Sequence, residues 1–244
     1  MENTLLVAVN RQDVLKRKMS LIANNIANMN TTGYKGGKMM FTEYLVRSRG
    51  GETVFGDRIS FVRDIATVRD TSEGPLNATE NPLDLAIRGE GFFVIATKEG
   101  ERYTRNGHFN LNQEGQMVTG AGDPVLSSNG QPFYFSTQDS EINIARDGAV
   151  STENGDLGKI RVVRFDNEQD LQQTAAGLYT SEAPAQDVEK PDLMQQMLEG
   201  SNVQPIIEIT KMINVSRAYN SAKAFIDKED DRIKRMMGEI TRPV

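Results

Sequence analysis

The spacing of hydrophobic positions predicts a helix at each end of the chain. Near the N-terminus, Leu5, Ala8, Gln12, Leu15, Met19, Ile22, Ile26 and Met29 follow alternating three- and four-residue steps, with Gln12 the one polar member. That is the pattern of a coiled-coil seam. Neither Gly nor Pro interrupts residues 1–32, and the stripe runs out at Asn28-Met29-Asn30-Thr31-Thr32-Gly33. Asn and Gly adopt the left-handed conformation that ends helices. Near the C-terminus Met212, Val215, Tyr219, Ala222, Ile226, Glu229, Ile233, Met236 and Ile240 repeat the same steps, with Glu229 the exception. Gly200-Ser201-Asn202 offers capping chemistry ahead of this helix, and Pro205 fits only its first turn. Each seam needs a partner: the other seam, further copies of the chain, or both. Leu21, Ala23 and Ala27 add apolar surface off the first seam, and a helix apolar on more than one face packs against more than one neighbour.

Between the helices the punctuation changes. Every Pro except Pro205 and Pro243 falls between Pro75 and Pro191, and turn dipeptides recur at Gly74-Pro75, Asn106-Gly107, Asn129-Gly130, Asp147-Gly148 and Asn154-Gly155. Short runs lie between them: Leu85–Ile87, Phe92–Thr97, Glu101–Thr104, Gly115–Val118, Glu141–Ile144 and Lys159–Phe165. Closely spaced short strands predict a β-rich body of barrel or sandwich type. Lys159–Phe165 reads as one half-buried strand, with Ile160 and Val162 facing opposite to Arg161 and Val163. Residues 36–80, with Gly36-Gly37, Gly50-Gly51 and a Phe/Val/Ile-dotted stretch at 53–69, read as an extended linker or hairpin arm. The fold class expected is therefore α+β: terminal helices able to pair as a coiled coil (1–35 and 202–244), the arm (36–80), and a β-rich middle domain (81–201).

Composition narrows the chemistry. The chain has 244 residues, no Cys, no Trp and one His, with 28 Lys+Arg against 34 Asp+Glu for a net charge of −6. The absence of Cys removes thiol nucleophiles, disulfides, iron–sulfur ligation and Cys-containing zinc sites. One His leaves no HExxH motif, and His108 sits in the turn-like Arg105-Asn106-Gly107-His108 with no GxSxG in the chain, so it reads as a solvent-facing turn residue. The acidic balance argues against nucleic acid. Residues 1–40 nevertheless carry six Lys/Arg against Glu2 and Asp13, a net +4, read as a solvated basic helix face. No apolar run approaches the ~20 residues of a membrane span. Leu5–Val9 is also too short for the core of a cleaved signal peptide.

The chain carries few stretches that resemble reactive motifs. Gly89-Glu90-Gly91 has two of the three glycines of a dinucleotide fingerprint and leads into a strand instead of a helix. Gly33-Tyr34-Lys35-Gly36-Gly37-Lys38 lacks P-loop spacing. Asp227, Glu229, Asp230 and Asp231 point around a helix, with Lys228 and Arg232 among them, and do not converge on a cation. No catalytic, metal or cofactor-binding residue is expected, and no cofactor.

Asn24-Asn25-Ile26-Ala27-Asn28-Met29-Asn30-Thr31-Thr32-Gly33-Tyr34-Lys35 closely resembles the N-terminal signature of the bacterial flagellar rod and hook axial proteins. The resemblance continues through Asn81–Val94, Tyr103–Phe109, Val118–Gly120 and Pro124–Leu126, and ends in Gly200-Ser201-Asn202-Val203 and Ser216-Arg217-Ala218-Tyr219. These blocks lie in order along nearly the whole chain, and the tail Ile226–Lys234 looks most like that of a proximal rod protein. Thr32 departs from the pattern, standing where many relatives have Pro, which bears on how sharply the first helix stops.

The resemblance implies a mechanical function and no enzyme. Its members are exported unfolded through the flagellum's own type III apparatus without signal cleavage. They pack terminal helices in the inner tube of the axial structure and work in the periplasmic basal body. The expected role is a structural subunit of the proximal rod, part of the drive shaft for swimming. Expected partners are copies of itself, other proximal and distal rod subunits and the export apparatus, with no nucleic acid and no lipid-spanning segment. Leu15, Met19, Ile22 and Ile26 with Met212, Tyr219, Ile226 and Ile233 form the expected assembly interface, and Asn24, Asn25, Asn28, Gly33, Tyr34 and Lys35 carry the family signature. The alternatives are a distal rod paralogue and a secreted wall-acting enzyme that borrows the axial helices for export.

Overall fold

The computed structural model describes residues 2–47, 58–136, 139, 141–174 and 177–240. Gly50-Gly51 and the start of the 53–69 stretch lie outside them. The chain has an N-terminal helix, a β-rich middle and a C-terminal helix, an α+β protein, and it divides into two compact units. The first holds residues 1–27, 37–68 and 204–244; the second holds 28–36 and 69–203.

In the first unit, α1 runs Glu2–Ala27 and α2 runs Pro205–Ile240. They pack on each other, and the last turn of α1 meets the first turn of α2 through Asn25 Nδ2 and Glu208 Oε2 at 3.4 Å, so they are antiparallel. At about 1.5 Å per residue, the 26 residues of α1 span about 39 Å and the 36 of α2 about 54 Å. The covered positions follow the hydrophobic stripes: Ala8, Ile22 and Val215 are buried, and Leu5, Leu15, Met19, Ile26, Met212, Tyr219, Ala222 and Ile226 are half-buried. Strands β1 (Gly37–Arg47) and β2 (Arg58–Arg69) form a two-stranded arm. A Cβ at Gly37 would lie 2.8 Å from Leu21 Cδ1, so part of the apolar surface off the seam is covered by the arm, while Ala23 and Ala27 stay exposed.

The second unit is built on a six-stranded sheet. Its strands, in chain order, are β3 (Leu76–Ala78), β4 (Leu85–Arg88), β5 (Phe92–Thr97), β6 (Gly100–Thr104), β7 (Phe109–Leu111), β8 (Met117–Thr119), β9 (Ile142–Ile144), β10 (Ala149–Thr152), β11 (Gly155–Lys159), β12 (Val162–Arg164), β13 (Gln172–Gln173), β14 (Tyr179–Thr180), β15 (Gln186–Asp187), β16 (Asp192–Gln195) and β17 (Met197–Glu199). The large sheet has the order β13-β14-β6-β5-β12-β15; β11-β10-β9 form a three-stranded sheet, and β7 pairs with β8. The last two strands return to the first two, β16 against β4 and β17 against β3, which brings the two ends of the unit together.

Alternation along β5 explains why this sheet needs cover on both sides, since successive side chains point to opposite faces. Phe93 and Ile95 enter one core with Leu85, Phe109, Phe133 and Val150. Phe92 and Val94 enter another with Tyr103, Phe165, Leu171 and Tyr179. Edge-on ring contacts hold each core, with centroids 5.2 Å apart for Phe93–Phe109 and 4.8 Å for Tyr103–Phe165. The same two-sided burial corrects the expectation of one alternating strand over Lys159–Phe165. The segment breaks at Ile160-Arg161, and Val162 and Val163 are both buried because each faces a different core.

Candidate functional site

The chain crosses between the units at 27/28, 36/37, 68/69 and 203/204. On the second unit's side, the residues flanking these crossings are bound to one another around three buried charges. After α1 ends, Thr31 N–H donates to Asn28 O and Tyr34 N–H to Thr31 O, which turns the chain. Gly33 follows with φ +67°, and its N–H donates to Glu199 O at 2.7 Å. A Cβ there would stand 2.6 Å from the carbonyl carbon of Arg105, so both the left-handed backbone and the close approach require Gly.

This turn delivers Lys35 to the interior. Its Nζ donates to Glu199 Oε1 at 2.6 Å and to Ser72 O at 2.8 Å. Arg105 donates from Nε to Glu199 Oε2 at 2.9 Å, from Nη1 to Gly89 O and Gly91 O, and from Nη2 to Ile87 O. Glu199 Oε1 accepts in addition from Gly74 N–H at 3.0 Å. The side chains of Lys35, Arg105 and Glu199 are only 5%, 4% and 1% exposed. One carboxylate between two cations leaves a positive excess, which the carbonyls of Ser72, Ile87, Gly89 and Gly91 offset. Buried charges are tolerable when paired and fully hydrogen-bonded in this way. Burial by itself pushes the Glu199 carboxyl up. Arg105, the hydrogen bond from Lys35 and the Gly74 N–H outweigh it and hold the group below the usual carboxylate value. Burial lowers the Lys35 ammonium, with Glu199 pulling it partly back.

Asn202 completes the lock. Its Oδ1 accepts from Gly36 N–H at 2.8 Å, its Nδ2 donates to Asp70 O at 2.8 Å and Ser72 O at 3.0 Å, and its N–H donates to Tyr34 O. Asp70 N–H donates to Gly36 O at 2.8 Å. Asn202 therefore ties three segments together, whereas the sequence suggested that it caps α2. The helix starts at Pro205, and its first turn bonds back to Gln204 O from Glu208 N–H.

The signature residues thus divide. Asn28, Gly33, Tyr34 and Lys35 belong to the lock, with Tyr34 buried beside Lys35. Asn25 belongs to the first unit, where its amide exchanges two 3.0 Å bonds with the backbone of Gly37. Asn24 is exposed. Of the seam residues, Leu15, Met19, Ile22 and Ile26 on α1 and Met212, Tyr219 and Ile226 on α2 are at least partly covered. Ile233 is 36% exposed, beyond the end of α1. Sequence reasoning gave Arg105 and Glu199 no role, and Asn202 only that of a cap. Arg105 and Asn202 stand inside the resemblance blocks and Glu199 adjoins one, but the residues that meet here lie far apart in the chain with no local pattern.

The lock offers no reactive centre: each of its polar groups is engaged in holding another segment. His108 projects half-exposed from its turn, with Nδ1 2.7 Å from Asp84 Oδ1. Among the described residues no group of His, Asp or Glu is placed to hold a metal ion, and no helix is long and apolar enough to cross a membrane. Fold and site together define a two-unit α+β protein whose buried polar residues fix distant segments of its chain to one another.

Comparison with known proteins gives that class its family. Residues 5–35 match the family described as Flagella basal body rod protein, residues 86–152 the Flagellar hook protein FlgE/F/G D1 domain, and residues 194–238 the Flagellar basal body rod FlgEFG protein C-terminal. The flagellar basal-body rod protein FlgF of Caulobacter vibrioides is 40% identical over 231 residues, which cover 93% of each chain. FlgF of Mesorhizobium japonicum is 30% identical over 97% of this chain and 98% of its own. FlgG of Agrobacterium fabrum is 34% identical over 93% and 95%. The chain belongs to the flagellar basal-body rod protein family, as a structural subunit of the flagellar rod.

Proposed function

We propose that this subunit occupies the proximal rod and polymerises through its terminal helices. Leu15, Met19, Ile22 and Ile26 pair with Met212, Tyr219 and Ile226 as a coiled coil, and further copies and other proximal and distal rod proteins cover what the pair leaves open, Ile233 included. The observation that carries this reading is the uncovered apolar surface of α2. Its seam continues through Ile233 and Met236 beyond α1, and Ile206, Ile209 and Ile213, which share one face, are 81%, 48% and 47% exposed. Contacts of this kind between unlike surfaces build open filaments. The arm (36–80) links the helices to a barrel- or sandwich-like outer body (81–201), and the rod transmits torque through the periplasm. The chain leaves the cell through the flagellar export apparatus without signal cleavage, and it is no enzyme, so zymography of the purified protein shows no lysis.

The test is a pair of charged seam variants. Ile22→Asp and Ile226→Asp abolish incorporation into basal bodies and swimming while the thermal unfolding of the second unit is unchanged. Swimming preserved in both would sink the reading. The 34% identity to an FlgG protein favours one second reading, a distal rod subunit. Copy number in isolated basal bodies separates the two, a distal subunit being several times more abundant.

A further inference from the structure

In the second unit the aromatic side chains are core material: nine of its ten Phe and Tyr are buried, and Tyr134 alone stands out, 56% exposed. Strand pairing places it. Gln116, just ahead of β8, bridges to Tyr134, and β8 pairs on its other side with β7 in the register Asn110↔Val118 and Leu111↔Met117. Side chains alternate along such strands. Phe109, Met117, Phe133 and Phe135 therefore enter the core, while Asn110, Asn112, Gln116 and Tyr134 share the outward face. The core takes its rings from Phe133 and Phe135, so nothing inside the unit calls for one at 134.

The outward groups are joined in a row. Asn112 Nδ2 donates to Gln116 Oε1 at 3.2 Å, and Gln116 Nε2 donates to the Tyr134 hydroxyl oxygen at 3.3 Å. Asn112 Oδ1 accepts from the N–H groups of Glu114 and Gln116, which fixes its amide. Capacity remains: a second hydrogen on each amide nitrogen, the phenolic O–H and a second lone pair on Gln116 Oε1. The exposed Asn110 amide makes no hydrogen bond among the described residues. Charge is missing from these strands. None of the twelve residues 109–112, 116–119 and 132–135 is charged, although Asp, Glu, Lys and Arg make up 25% of the chain. A charged ligand finds no counter-ion on them. A neutral, hydroxyl-rich ligand finds prearranged donors and acceptors, and a ring against which the C–H face of a sugar can lie, since tyrosine presents an apolar body and a polar tip. The row from Asn112 to Tyr134 crosses two strand spacings, about 10 Å, enough for two linked sugar rings. With no carboxylate at these positions to serve as acid or base, the face holds a glycan without cutting it.

We propose that this sheet face binds an extended, neutral polysaccharide strand, with Tyr134 stacking on one sugar and Gln116 and Asn110 bonding to the next. Such binding needs only the second unit, whatever position the subunit takes in the rod. The full chain is titrated with a chitin oligomer, an uncharged chain of β-linked N-acetylated sugars, while the side-chain NH2 signals of Asn110, Asn112 and Gln116 are followed by NMR. These signals shift saturably, and equally at low and high salt, because no ion pair is involved. Tyr134→Ala weakens binding by roughly tenfold, the loss of one ring contact, and leaves thermal unfolding unchanged because the side chain lies outside the core. Tyr134→Phe, which keeps the ring, and Gln116→Ala each weaken it less. No saturable shift, a shift that salt abolishes, or binding undiminished in Tyr134→Ala overturns the glycan site. Where Tyr134→Ala fails to fold, binding undiminished in both Tyr134→Phe and Gln116→Ala overturns it instead. Sedimentation in which the native chain self-associates and Tyr134→Ala does not also overturns it, and makes the face a contact between copies.

Discussion

The two units solve opposite problems with one chain. The second closes its surface: two aromatic cores flank its main sheet, and its buried charges are matched by partners. The first leaves surface open: α2 runs ten residues longer than α1, and every described side chain from Asp231 to Glu239 is exposed. Both obey the same physics, since apolar area removed from water stabilises each, by roughly 25 cal/mol per Å². What differs is where the covering atoms come from. A unit that finds them within its own chain needs fewer contacts from outside; a unit that leaves isoleucines in water is organised for further contacts.

That contrast can be broken most forcefully at Glu199. Glu199→Ala strands Lys35 and Arg105 in the interior, and the second unit loses about 3–5 kcal/mol in denaturant unfolding. Far-ultraviolet circular dichroism of the α1–α2 pair in the same variant separates local from global loss. Gly107→Ala comes next. A Cβ at Gly107 would meet Leu85 O at 1.8 Å, backbone against backbone, and the expected loss is about 3 kcal/mol, read as a lowered unfolding midpoint.

Acid gives a graded version of the Glu199 test. The folded-state pKa of that group lies below its ordinary 4.5. Its contribution to stability is therefore complete above 4.5 and is lost as pH falls through the lower folded value. Glu168 acts with the opposite sign, because burial raises its pKa and protonation relieves the penalty on its charged form. Glu168→Gln should consequently steepen the acid loss measured by thermal unfolding as pH falls from the raised folded value towards the ordinary 4.5, and leave the slope unchanged below it. The smallest effect is expected at Gln196, which joins β16 to β17 with φ +58°. Gln196→Gly relieves left-handed strain and stabilises the second unit by under about 1 kcal/mol, the larger freedom of unfolded Gly offsetting part of the gain. For the first unit, the marginal helices gain circular dichroism signal on assembly, because packing supplies most of their stability. Full helicity in the dilute monomer would count against that.

What could be read in advance follows the range of the interactions. The α1 and α2 seams are local and periodic, so residues such as Ile22 and Val215 were legible as covered positions. Strand β5 was legible to the residue because Phe92–Thr97 is bounded by Gly91 and the Lys98-Glu99-Gly100 turn. Lys159–Phe165 misled, because alternation describes a sheet wet on one side, and here Val162 and Val163 both face cores. The lock was half legible. Gly33, Tyr34 and Lys35 announced themselves through their signature, yet Lys35 meets Glu199 across 164 positions, a pairing that only the tertiary fold creates. Asn202 looked like a cap because Asn commonly caps; nothing local shows that its amide faces Gly36, Asp70 and Ser72.

The four crossings carry a mechanical consequence. A shaft subunit joined through one tether would concentrate any twisting load on a single peptide segment. Here the flanking residues at all four crossings are laced by Gly33–Glu199, Gly36–Asn202, Asp70–Gly36 and Tyr34–Asn202 hydrogen bonds. Pulling on any one of the four segments is resisted in shear by the others, and the strain is divided before it reaches the β-sheet.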